Sequence, residues 1–260
     1  MAGDPNLTFI FFIALTLLAT LGLRFGFYAF RNRQASDLVS EHRLWDFLGV
    51  VGLLSVVFAV LGLLEIVTTL TFPFKQALVL AQVLLLAVTM RVLYRSVVPT
   101  TGEPHRFTRP LTRAASLAVL TVFVGMLLVG RHPLLVGTLG VSALAFAAAG
   151  FSFGRRGAAA TRVQGTVVDT LLRHLLPVLL FAALVPAVDL ATLVGLDRAI
   201  VLHVQVVFVI MTATTLMTAT ISSGRTSRAS EVQGSDPRRL SIYQASDPYV
   251  AYVCRIRLRR

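Results

Sequence analysis

Five polar side chains fall at one level in spans that are otherwise apolar: Glu65, Gln82, Asp189, His203 and Gln205. At about 1.5 Å of rise per helical residue they stand roughly 6–10 Å inside one boundary of a bilayer. A carboxylate is costly there unless it holds a proton or takes a cation partner. Glu65 and Asp189 are therefore the candidates to bind or couple an ion or small solute. Gln82 and Gln205 would be their hydrogen-bonding partners, with His203 beside them. The plainer use of each is to reach the interface separately, or to bond a neighbouring helix as a packing contact.

A second group lies near the opposite boundary. Asp169 and Arg173 are four apart and can pair, His174 is adjacent, and Asp46 is the matching acid of the first half. Arg91 and Arg95, also four apart, share a helix face. These residues could gate that mouth by ion pairing or contact lipid head groups, although anchoring helix ends is their simpler role. Pro177 and Pro186 each remove a backbone donor in the span that carries Asp189, so a kink is expected beside that acid.

The elements that must position these residues follow from composition. Of 260 residues 56% are hydrophobic and only 14% charged, with a mean hydropathy of +0.79. No soluble fold of this length buries that much apolar side chain. Apolar runs between charged or Pro/Gly breaks predict an all-α protein of seven spans, at about 7–30, 46–71, 75–97, 112–130, 134–151, 168–195 and 199–221. The fifth is the shortest and weakest of these. The transmembrane domain is expected over 1–224 and a basic, mostly disordered tail over 225–260. The first run follows Asp4 with no Lys or Arg before it and no small-x-small site after it, so it reads as a retained helix.

Net charge is +12, from 24 Lys and Arg against 12 Asp and Glu. On the seven-span reading 21 basic residues flank the first, third and fifth loops or lie in the tail, and three remain on the other side: Lys75, Arg131 and Arg198. The bias predicts an external N-terminus and a cytoplasmic C-terminus in the cell membrane. The charge then serves topology and contact with anionic inner-leaflet lipids, and no nucleic-acid reading motif accompanies it.

Seven spans divide as three, one and three, which gives two parallel repeats. The end of span two aligns with that of span six and matches Glu65 to Asp189, Thr68 to Thr192, Lys75 to Arg198 and Gln82 to Gln205. This architecture resembles that of the SWEET sugar facilitators in topology alone. Their proline set and a late-span Asn are missing, so sugar transport is not implied.

Several functions lack their residues. The sole lysine, Lys75, opens span three, whereas a retinal Schiff base needs a lysine inside a late helix. His174 and His203 lie near opposite faces, against a bis-His haem. There is no H-E-x-x-H, no G-x-S-x-G, and Asn occurs only at 6 and 32. His42, His105 and His174 match no metal spacing, and the single Cys254 excludes a disulfide framework within one chain. No cofactor is expected. The sequence thus predicts a non-enzymatic, multi-pass membrane protein: a small-solute or ion permease, or a subunit working with a membrane-protein partner. The rival reading is a seven-helix sensor or assembly protein whose basic tail binds a cytoplasmic partner.

Overall fold

The computed structural model describes residues 5–35, 39–68, 70–97, 108–159 and 167–235, and every regular element among them is helical. In chain order these are α1 (Pro5–Ala35), α2 (Val39–Val67), α3 (Lys75–Val97), α4 (Thr108–Val129), α5 (Pro133–Ala159), α6 (Val167–Ala187), α7 (Leu190–Leu193) and α8 (Arg198–Ser235). The chain divides into two units, residues 1–223 and 224–260. The packing described below is that of the first. Of the second, the helix through Ser235 is described, and the rest of the expected tail lies outside the described residues.

Six helices are long and apolar enough to cross a membrane: Pro5–Gln34, His42–Val67, Lys75–Arg95, Pro133–Ala159, Leu171–Leu193 and Arg198–Thr220. The fourth expected span falls short of that length, its apolar stretch being Arg113–Val129. Conversely, α5 continues past the expected end at 151. Gly154 and Gly157 let Leu176 and Leu172 of α6 approach closely along that extension, and Arg155 lies over the Phe151 ring at 5.9 Å.

Helices α1 and α2 form a close antiparallel hairpin. A methyl group placed on Gly52 would stand 2.8 Å from both the Gly22 carbonyl oxygen and the Gly26 nitrogen. The two backbones therefore touch, as small residues permit in apolar surroundings. Helix α3 is central, packing against α2, α4, α5 and α6, with Leu80, Val83, Leu86 and Met90 fully buried. Helix α4 is peripheral; its Phe123 ring meets Phe74 in an edge contact at 5.5 Å.

Candidate functional site

One end of the bundle carries the α2–α3, α4–α5 and α7–α8 turns, and each turn delivers a charged side chain. In the first, Glu65 sits in the last turn of α2. Its Oε1 accepts the Phe72 N–H at 2.6 Å, and its Oε2 pairs with the Lys75 ammonium. Both side chains are only 13% exposed. Thr68 bonds back to the Leu64 carbonyl at 2.6 Å, so the acid and the hydroxyl together tie down the link between the helices. A charge-assisted bond to a loop N–H is among the stronger anchors available.

In the second turn, Gly130 adopts φ +74°, a left-handed conformation that ends α4 cheaply because glycine has no Cβ. His132 Nδ1 accepts the Leu134 N–H at 3.3 Å, and Pro133 opens α5 where no N–H is needed. Arg131 stands between them and donates from Nη2 to Asp189 Oδ2 at 2.9 Å. Asp189 is the buried partner, 8% exposed against 33% for Arg131.

In the third turn, α6 breaks directly after Pro186 and the chain resumes as the single turn α7. Gly195, at φ +91°, closes that turn. The Leu196 N–H reaches the Ala191 carbonyl at 3.0 Å and the Gly195 N–H that of Thr192 at 3.3 Å, the pairing of a glycine-terminated helix. Asp197 caps α8 by accepting the Ala199 N–H at 2.9 Å. Buried Gln205 of α8 donates to the Val185 carbonyl at 3.0 Å, bonding the end of α6 across helices.

Between these turns lies a cavity of about 420 Å³. Glu65, Lys75, Gln76, Arg131, Arg198 and Gln205 line it, and Phe11, Phe58, Phe72 and Leu202 supply apolar wall. Lys75, Arg131 and Arg198, the three cations on the minority side of the basic distribution, thus converge on one cavity. Gln76 is 3% exposed, and its Oε1 has no hydrogen-bond partner among the described residues. A buried polar atom without a partner is unusual in a folded protein.

The five expected residues separate accordingly. Glu65 and Gln205 line the cavity, and Asp189 lies one bond behind it through Arg131. Gln82 is buried on α3 outside the lining. His203 is on the exposed side of α8, with Nδ1 2.7 Å from the Ala199 carbonyl oxygen of its own helix. The alignment of Glu65 with Asp189 does not extend to their ion pairs: Glu65 takes Lys75 across its own turn, whereas Asp189 takes Arg131 from another turn and not the matched Arg198. Lys75, Gln76, Arg131 and Arg198 line the cavity without being among the site residues expected from the sequence. The shared side of Lys75, Arg131 and Arg198 in the basic distribution is the signal for the three cations.

At the opposite end, Asp46 pairs with Arg33 at 2.9 Å on the α1–α2 hairpin. Arg91 lies over the Phe153 ring at 5.7 Å, and Arg95 and Arg173 are exposed. The side chain of Asp169, and with it the expected Asp169–Arg173 pair, lies outside the described residues.

No protein-family model, characterised protein or solved structure matches the chain. Six apolar helices of spanning length are, by length and composition, consistent with a multi-pass integral membrane protein in a lipid bilayer.

Proposed function

We propose that this protein is a small-solute permease, or the solute-binding subunit of one, and that its solute enters through the cavity between the three turns. The supporting observation is a cavity of about 420 Å³ that combines charged, amide and aromatic side chains at the end of an apolar bundle. That size and mixed lining are typical of small-molecule sites. In this reading Glu65 and Asp189 do not carry a coupled ion. They hold Lys75 and Arg131 in place at the cavity, since each carboxylate already has its cation. The excess of basic residues on the other side of the seven-span reading favours an external position for the cavity.

Flux into vesicles reconstituted with purified protein, measured over a panel of labelled anionic, cationic and neutral solutes, tests the proposal. A transported solute should lose at least about tenfold in rate on Leu202→Trp, which fills the cavity without altering a charge. Absence of flux for every class from folded, inserted protein, or wild-type flux in the filled variant, would remove the permease reading.

A further inference from the structure

Three cations and one carboxylate line the cavity, and the second carboxylate, Asp189, sits behind Arg131. Lys75 is matched by Glu65 and Arg131 by Asp189. Arg198 has no carboxylate of its own, although the charge of Asp189 also reaches it. No salt bridge reaches it among the described residues: Asp189 Oδ2 takes Arg131, and Asp197 accepts a backbone N–H at the start of α8. Its position makes that excess harder to explain by stability. Arg198 opens α8, where the helix macrodipole already presents positive charge and a cation is unfavourable.

The second observation is Gln76. This buried amide lines the same cavity and leaves Oε1 unbonded. Its Nε2 has no hydrogen-bond partner among the described residues either and is not enclosed as Oε1 is, so the two N–H donors of the amide are open to an oxyanion. The aromatic and leucine wall asks for apolar surface rather than a bare inorganic ion.

We infer that the cavity binds a single negatively charged oxyacid group, carboxylate or phosphate, carried on an apolar body, with Arg198 as its charge partner and the Gln76 amide as its hydrogen-bond donor. The inference rests on the permease reading only in taking this cavity as the solute site. Two sources supply such chemistry: a free organic acid, or the head group of an anionic lipid entering from the bilayer. Arginine suits either, because its planar fork matches carboxylate and phosphate oxygens alike.

Equilibrium binding of radiolabelled benzoate to the full chain in phosphatidylcholine nanodiscs tests the free acid. Phosphatidylglycerol retained from mixed discs, quantified by mass spectrometry, tests the lipid head group. Saturable binding of either probe is expected, weakened at least about tenfold by Arg198→Gln, less by Arg198→Lys, and also weakened by Gln76→Leu. Benzamide and benzylamine should not compete with benzoate. Arg198 is exposed and unbridged among the described residues, so its substitution leaves folding intact; Gln76→Leu carries the test should it not. Preference for benzylamine, binding indifferent to both variants, or no saturable binding of either probe would overturn the inference. Flux of a cation or neutral solute without anion binding would sink it and leave the permease reading standing. Anion binding without flux of any solute would do the reverse.

Discussion

Glu65 and Asp189 reach their cations by different routes, and the difference predicts different mutational behaviour. Glu65 and Lys75 are neighbours across one turn, both largely buried, and the acid also holds a loop N–H. Removing one charge leaves the other uncompensated in a poorly solvated place, at a cost of roughly 2–4 kcal/mol. Glu65→Gln and Lys75→Met should each lower the thermal stability of the purified protein, and the double variant should recover most of the loss. Equal destabilisation in the double and the worse single would show that the two charges do not compensate one another. Asp189 and Arg131 come from turns far apart in the chain, so their bond staples α4–α5 to α6–α7. A double-mutant cycle with Asp189→Asn and Arg131→Gln should give a coupling of about 1–3 kcal/mol, as contacting charges do, whereas a cycle between Arg131 and Glu65 should give much less.

At the scale of elements, the glycines divide by what lies opposite them. Gly52 has α1 backbone within 2.9 Å of the position a Cβ would take, so Gly52→Ala must push α1 and α2 apart, at roughly 1–3 kcal/mol. Gly49, on the same helix and about one turn away, has nothing within 4 Å. There alanine only gains helix propensity, so Gly49→Ala should be neutral or stabilising by up to about 1 kcal/mol. Steric-trapping or thermal unfolding measurements on the two variants would show this contrast, and similar values would refute direct backbone contact in the hairpin. The junction of α6 and α8 depends on a polar contact instead. Replacing Gln205 with Leu leaves the Val185 carbonyl without that donor, and a loss of about 1–3 kcal/mol is expected.

For the whole molecule, topology and division into units are open to direct tests. In a Cys254→Ser background, a cysteine at Arg131 should react with an impermeant thiol reagent on intact cells. One at Arg156 should be protected until the membrane is opened, since the basic bias assigns these residues to opposite sides. The reverse pattern would invert the bundle and put the cavity on the cytoplasmic face. Because residues 1–223 form a compact unit of their own, truncation after Ser223 should leave insertion and thermal stability of the bundle close to wild type. Failure of the truncated chain to insert would make the second unit part of the folding core.

The sequence by itself determined the helical class, the bilayer as surroundings and the approximate positions of the helices. Each of these depends on apolar content and run length, which are local sums along the chain. Local signals also marked the ends: Pro186 before the break in α6, and Gly130-Arg-His-Pro133 at the α4–α5 turn. The one-dimensional depth estimate put Glu65, Gln82, Asp189, His203 and Gln205 at one level but said nothing of direction around each helix, and that direction separates cavity-lining Gln205 from exposed His203 on α8. Only tertiary structure decided which cation meets which acid. Arg131 finds Asp189 because the α4–α5 turn lies beside the broken end of α6, a long-range proximity that no spacing along the chain encodes. It also turned three cations scattered through the sequence into the lining of a single cavity, leaving Arg198 and Gln76 with bonding capacity that their neighbours do not fill.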